Sequence, residues 1–129
     1  MVVPVGDPWH LRSAVSLKML AQRPLIAMPV GTGLRRRLDD ACAAAGIAVR
    51  VAYEAGTPAA LAELARHGLG PAIVPASLSG SRPDLRAIPI APEVRGRLAL
   101  AWRSSGPINP AARALIDLAR EHVRVGGRA

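Results

Sequence analysis

Residues 24–46 have the sequence PLIAMPVGTGLRRRLDDACAAAG, and this stretch decides the fold class. Residues 25–28 are all apolar, which is typical of a strand buried on both faces, as in a parallel sheet. A glycine loop follows, and residues 34–45 then carry apolar side chains at helical spacing. Thr32 is placed to cap this helix and Gly46 to end it. The stretch therefore predicts one strand–loop–helix unit of an α/β fold.

The same alternation continues on both sides of this unit. Thr57-Pro58 and Asn109-Pro110 each combine a capping side chain with a proline at the first helical position, so both predict helix starts. The order of elements predicts an α/β fold with a mostly parallel sheet and a C-terminal helix. The further predicted strands are residues 2–5, 47–53, 72–75, 85–90 and 98–102, and the further predicted helical segments are residues 16–20, 58–67 and 110–123.

The composition excludes several classes of protein. The chain has 129 residues, half of them hydrophobic, and a net charge of +8, so it can bury a core and is not expected to be disordered. Its single cysteine excludes an intrachain disulfide and a cysteine-cluster metal site. No apolar run is long enough to cross a bilayer, and no signal peptide is recognised. We therefore expect a soluble, cytoplasmic protein without a membrane partner.

The positive charge is spread along the chain, and all of the 17 basic residues except Lys18 are arginines. The densest run is Arg35-Arg36-Arg37. Asp39 follows Arg35 by four residues, so an ion pair on the outer face of the helix accounts for the run. Direct DNA binding through these arginines is the weaker alternative, because carboxylates already offset their charge.

Catalytic motifs are missing from the sequence. The segment from Gly31 to Arg36 fails the dinucleotide fingerprint, since Arg36 stands where the third small residue belongs. Ser77 lacks the flanking glycines of a nucleophile elbow. The three histidines have no metal-ligand spacing. We therefore expect no enzyme activity, no cofactor and no metal.

Three predicted loops leave the carboxyl ends of the parallel strands, where open α/β sheets bind ligands. Each loop carries a hydroxyl group, and two of them lead into helix N-termini, which favour anions. We expect a small, anionic metabolite to bind there. The alternative is that Thr32 and Thr57 only cap helices. For Glu54, ligand binding and a purely structural role at the end of a strand stay equally open. The candidate effector-binding residues are Gly31, Thr32, Gly33, Glu54, Gly56, Thr57, Pro75 and Ser77.

Four segments, in this order, resemble the effector-binding domain of LysR-type transcriptional regulators. Residues 20–33 resemble the family's leucine–apolar–Gly-Thr-Gly stretch, and residues 38–46 and 49–54 its next helix and strand. Residues 61–75, which contain the sequences Gly-Leu-Gly and Val-Pro, resemble its most specific signature. Residues 98–118 resemble its terminal segment, including Trp102.

The resemblance implies a fold similar to type 2 periplasmic binding proteins, in which two α/β subdomains are joined by two crossover strands. Residues 1–7 then correspond to the first crossover strand, 8–90 to the second subdomain, and 91–103 to the return crossover. Residues 104–129 correspond to the C-terminal helix of the first subdomain. The rest of that subdomain and the DNA-binding helix-turn-helix domain have no counterpart in this sequence, so the chain is expected to be truncated.

The resemblance also implies a function. The chain is expected to sense a small-molecule effector in a cleft between subdomains, to form a homo-oligomer, and to contact DNA only through a helix-turn-helix domain that this chain does not contain. With half of the cleft outside the chain, we expect weak or no effector binding by this chain alone. The alternative is a solute-binding module of another type 2 periplasmic-binding-protein relative.

Overall fold

The computed structural model describes residues 1–78, 83–96, 101–103 and 109–122. The chain divides into two compact units, residues 1–97 and residues 98–129. One turn of 3₁₀ helix spans Ala76–Leu78. The other elements, in chain order, are β1 (Val2–Pro4), β2 (Val15–Ser16), α1 (Leu17–Leu20), β3 (Leu25–Ala27), α2 (Gly33–Ala44), β4 (Val51–Glu54), α3 (Pro58–Arg66), β5 (Leu85–Ala87), β6 (Ile90–Ala91) and α4 (Pro110–His122).

A mixed sheet organises the first unit. β3 pairs in parallel with β4, and Ile26 lies opposite Tyr53. β1 pairs antiparallel with β5. The segment at Ala72 joins the two pairs, because it bridges in parallel to Ile26 and antiparallel to Val2. The spatial order is therefore β4, β3, Ala72, β1, β5, and the short strands β2 and β6 form a separate parallel pair.

Apolar side chains cover both faces of this sheet, since successive residues of each strand point to opposite faces. Val3 and Leu25 belong to one core cluster, whereas their neighbours Val2 and Ile26 belong to the other. Helices α1 and α2 contribute to the first cluster, and α3 contributes to the second. The helical side chains that complete the two clusters are Leu17, Leu20, Leu38 and Cys42 on one face and Leu61, Ala62 and Ala65 on the other.

The helix boundaries predicted from capping chemistry are confirmed to within one or two residues. The Ser16 hydroxyl accepts a hydrogen bond from the Met19 N–H at 3.3 Å at the start of α1. The Thr57 hydroxyl accepts one from the Ala60 N–H at 3.2 Å at the start of α3. Gly46 has a φ of +66°, which suits the left-handed position just after α2.

Three predicted strands are wrong in their extent, because the partner strand is short in one case and prolines interrupt the strand in the other two. The strand predicted at 47–53 starts at Val51, since β3 offers only three residues to pair with. The strand predicted at 72–75 reduces to a bridge at Ala72, because Pro71 and Pro75 have no N–H to donate. The strand predicted at 85–90 divides into β5 and β6 around Pro89.

The second unit contains α4, which begins at Pro110 as predicted. The Asn109 side chain caps it, since its Oδ1 accepts a hydrogen bond from the Ala111 N–H at 2.9 Å. Ile116 is buried, whereas Leu115 and Leu118 on the same helix are more than half exposed. The strand predicted at 98–102 lies mostly outside the described residues, and Val123 also lies outside them.

Candidate functional site

Three loops meet at one edge of the sheet, which we call the loop edge: residues 28–33, 54–57 and 75–78. β4, β3 and the segment at Ala72 run parallel and are neighbours. The loops that follow these strands must therefore leave the sheet at the same end. The eight candidate residues all lie in these loops or at the helix start that follows the first of them.

The first loop leads into α2, and its threonine does not cap the helix as predicted. Thr32 has the extended backbone of an N-cap residue. Its hydroxyl, however, donates a hydrogen bond to the Pro29 carbonyl at 2.8 Å, and no side-chain cap bond forms. The first N–H groups of α2 are consequently not covered by the Thr32 side chain. A Cβ added to Gly33 would meet no atom within 4 Å, so the backbone of α2 is open to approach at this point.

The second loop begins at Glu54, the last residue of β4, and ends at Thr57. Thr57 caps α3 as predicted. Gly56 is exposed, and a Cβ added there would also meet nothing within 4 Å. Glu54 accepts a hydrogen bond on Oε1 from Arg35 Nη1 at 2.6 Å, so its carboxylate is an ion-pair partner of α2.

Arg35 joins the first two loops. Its Nε donates to Asp39 at 3.0 Å, which confirms the predicted i,i+4 pair, and its Nη1 donates to the Met28 carbonyl at 3.3 Å as well as to Glu54. Only 14% of the Arg35 side chain is exposed. Desolvation by burial is the largest effect on the pKa of Arg35 and lowers it, but the bonds to Glu54 and Asp39 together outweigh it and raise the pKa above its ordinary value.

The third loop contains Pro75 and the 3₁₀ turn that holds Ser77. The Pro75 carbonyl accepts a hydrogen bond from the Leu78 N–H at 3.1 Å, and Ser77 is exposed. An open pocket of about 290 Å³ lies between this loop, the first turns of α2 and the segment 87–94. It is mainly apolar, and Leu34 and Ala76 are among the side chains that line it.

The described residues offer few groups for metal binding or nucleophilic catalysis. Among the residues that the structure describes, no three His, Cys, Asp or Glu side chains are placed to hold a metal ion. Cys42 lies on the buried face of α2, and desolvation, with a smaller contribution from Asp39, raises the pKa of its thiol, so it is a poor nucleophile. In the same described ranges, no helix combines the length and the apolar character needed to span a bilayer.

A comparison with protein-family models identifies the family of this chain. The model of the LysR substrate binding domain matches residues 1–124 of this chain. The chain belongs to this family. Its fold is accordingly the type 2 periplasmic-binding-protein-like α/β fold, with the parallel strand pairs and the C-terminal helix described above.

Solved structures of the LysR substrate-binding-domain fold are similar in backbone but distant in sequence. HinK, a LysR family transcriptional regulator from Pseudomonas aeruginosa, matches with a TM-score of 0.73 and 22% identity over 93% of this chain. The CcmR regulatory domain from Synechocystis PCC6803, solved in complex with 2-PG, matches with a TM-score of 0.77 and 15% identity over 97% of this chain. The present chain spans 43% of the length of HinK and 62% of the length of the CcmR regulatory domain.

The sequence analysis missed the contact of Arg35 with the loop edge, because it placed this guanidinium on the outer face of α2. A signal was present, however. Arg35 lies in the first turn of α2, where the helix dipole disfavours a positive charge. A residue that violates a local rule in this way indicates either a nearby counter-charge or a functional role.

Proposed function

We propose that this chain is the effector-sensing part of a LysR-type transcriptional regulator, and that a small metabolite bearing an oxyanion binds at its loop edge. The observation that supports the proposal is the convergence of three hydroxyl-bearing loops at the carboxyl ends of neighbouring parallel strands, in a chain that belongs to the LysR substrate-binding-domain family.

In this proposal the eight candidate residues have distinct roles. The open glycines, Gly31, Gly33 and Gly56, let the ligand approach the backbone closely. The uncovered N–H groups at the start of α2 donate to the oxyanion. The hydroxyls of Thr57 and Ser77 donate further hydrogen bonds, Thr32 holds the first loop through its bond to the Pro29 carbonyl, and Pro75 shapes the third loop. The apolar pocket beside Leu34 and Ala76 accommodates the carbon skeleton of the ligand. The remaining polar side chain, that of Glu54, accepts a hydrogen bond from Arg35.

The proposal extends to the regulator as a whole. Residues 8–90 form its second effector subdomain, residues 1–7 and 91–103 its crossovers, and residues 104–129 the segment that contains its terminal helix. The effector shifts the equilibrium between two arrangements of the subdomains of a homo-oligomer. DNA is contacted by a separate helix-turn-helix domain. The relative that was solved with 2-PG supports the effector class, since it shares the fold of this chain.

A titration followed by nuclear magnetic resonance tests the proposed site. The ¹⁵N-labelled chain is titrated with inorganic phosphate, succinate and 2-PG, and with glycerol as an uncharged control. We expect the oxyanions to shift the amide signals of Gly33, Gly56 and Ser77. Shifts confined to the opposite edge of the sheet, or no shifts with any probe, would contradict the proposal.

A pair of glycine variants sharpens this test. Gly33→Val places a branched side chain at the start of α2, where it blocks an approaching ligand, and we expect it to abolish the shifts. Gly96→Val is the matched control, because a Cβ at Gly96 also meets nothing within 4 Å and Gly96 lies outside the three loops. Equal binding by both variants would show that α2 is not the anion site.

A further inference from the structure

The loop edge already holds an ion pair in which one partner is far more exposed than the other. Arg35 is largely buried, whereas 44% of the Glu54 side chain is exposed. Glu54 reaches the guanidinium through one hydrogen bond, from Nη1 to Oε1 at 2.6 Å. An exposed carboxylate held by a single contact gains little net free energy from its ion pair. It is therefore readily exchanged for another oxyanion.

Asp39 and the Met28 carbonyl keep Arg35 in place independently of Glu54. Asp39 binds Nε at 3.0 Å from within the same helix, and the Met28 carbonyl binds Nη1 at 3.3 Å from the preceding loop. If Glu54 moved away, these two contacts would still direct the guanidinium toward the loop edge. The guanidinium would then offer donors at the start of a helix whose own N–H groups also favour an anion.

We propose that Glu54 is an internal counter-ion that occupies Arg35 in the empty site, and that an acidic effector binds by displacing it. This inference rests on the proposed function of the loop edge. It assigns the effector to molecules with a carboxylate or phosphate group, since an uncharged molecule cannot replace the charge of Glu54. It also makes Glu54 a competitor of the ligand and Arg35 a specificity-determining residue.

The displacement has a structural consequence. Glu54 is the last residue of β4 and is followed directly by the loop that leads to the Thr57 cap. Its bond to Arg35 ties the end of β4 to the first turn of α2. An effector that releases this bond frees the second loop from the first. The chemistry of the effector is thereby coupled to the position of a loop.

Variants of opposite expected effect test the inference. Inorganic phosphate and succinate are titrated into the full 129-residue chain at constant ionic strength, with the amide signals of the three loops as the measurement. Glu54→Gln removes the competing charge, and we expect Kd to fall by about two- to fivefold, the effect of one exposed ion pair. Arg35→Gln removes the cation, and we expect Kd to rise by at least as much.

Glu63→Gln is the matched control. It also removes one carboxylate from an exposed ion pair, with Arg66 at 2.9 Å, but it lies in α3 beyond the first turn. The net charge changes by the same amount, so Kd should equal that of the unsubstituted chain. A fall in Kd as large as that of Glu54→Gln would mean that overall charge, rather than displacement of Glu54, sets the affinity, and would overturn the inference.

The outcomes separate the inference from the proposed function. If phosphate shifts the loop amides but Glu54→Gln leaves Kd unchanged or raises it, the counter-ion role is wrong and the site stands. If neither the unsubstituted chain nor Glu54→Gln shows loop shifts, the counter-ion role and the proposed binding site are both wrong. Should Arg35→Gln fail to fold, the side-chain ¹³C carboxyl signal of Glu54 in the unsubstituted chain decides. It must move with the same half-saturation as the loop amides, and a stationary signal refutes displacement.

Discussion

The two edges of the central sheet are built in different ways. At the edge where β3 begins, which we call the closed edge, Gly70 packs against the Pro24 carbonyl and the Asp7 carboxylate is buried. At the loop edge, the glycines are open to solvent and the Glu54 carboxylate is nearly half exposed. The contrast shows that packing fixes the chain at one end of the sheet, whereas the loops at the other end are open to solvent.

The arginine of the closed edge illustrates the difference. Arg23 donates to both carboxylate oxygens of Asp7, at 2.8 and 2.7 Å, and its guanidinium lies 4.5 Å from the centre of the Trp9 ring. Asp7 is only 6% exposed and accepts a further hydrogen bond from the Trp9 N–H. This clamp has far more contacts than the single bond between Arg35 and Glu54. A bidentate pair whose carboxylate is buried in this way is structural.

The largest expected effect concerns the glycine of the closed edge. A Cβ at Gly70 would lie 2.8 Å from the Pro24 carbonyl oxygen, and its φ is +145°. Both the strain and the clash oppose Gly70→Ala, which should lower the free energy of unfolding by about 3 kcal/mol in urea denaturation. Gly56→Ala at the loop edge is the control and should change it by less than about 0.5 kcal/mol. Equal losses would abolish the distinction between the edges.

The clamp should show the next largest effect, with a defined pH dependence. Asp7→Asn removes the charge-assisted bonds to Arg23 and should cost about 2 kcal/mol at neutral pH. Desolvation is the largest effect on the pKa of Asp7 and raises it, but the bond to Arg23, the bond to the Trp9 N–H and the charges of Arg23 and His10 together lower the pKa below its ordinary value.

The sign of the pH effect follows from this lowered pKa. A carboxyl group with a lower pKa in the folded state stabilises the protein above its unfolded pKa, and this stabilisation is lost as the pH falls through the folded value. The difference between the unsubstituted chain and Asp7→Asn should therefore be largest at neutral pH and should decrease as the pH is lowered to about 3. Urea denaturation at both pH values measures it, and a constant difference would contradict the assignment to Asp7.

A smaller effect is expected at the cap of α3. Thr57→Ala removes the hydroxyl that accepts from the Ala60 N–H and should cost about 1 kcal/mol. Thr57→Ser keeps the oxygen and should recover most of the loss. If the two variants are equally stable, the hydroxyl does not act as a cap, and the loop edge makes a smaller structural contribution than we infer.

The smallest effect on stability is expected for the exposed pair of the loop edge. Glu54→Gln should change the free energy of unfolding by about 0.5 kcal/mol or less, because the carboxylate is half exposed. The same variant is the one expected to alter anion affinity. A loss as large as that of Asp7→Asn would mean that Arg35 and Glu54 form a second structural clamp.

Local sequence chemistry predicted the helices better than the strands. Thr57-Pro58 and Asn109-Pro110 carry their own capping groups, so the starts of α3 and α4 could be predicted from adjacent residues. The pairing of Val15 with Ile90, which forms β2 and β6, was missed because the two residues are far apart in the sequence. A strand needs a partner, and the partner is known only once the chain has folded.

The candidate site shows the same division. The positions of the three loops could be predicted, because parallel strands in alternation with helices bring their carboxyl ends to one edge. The directions of individual side chains could not. Thr32 satisfies the Pro29 carbonyl instead of capping α2, and Arg35 points to Glu54 across the gap between two loops. Each choice depends on an acceptor that the fold brings within reach.

By itself, the sequence determined the alternation of strands and helices, the caps that start the helices and the family to which the chain belongs. The tertiary structure alone decided the strand lengths, the clamp between Asp7 and Arg23 and the pairing of Arg35 with Glu54. The physical reason is the range of the forces involved. Periodicity and capping act within a few residues, whereas ladders and ion pairs join segments that only the packed core brings together.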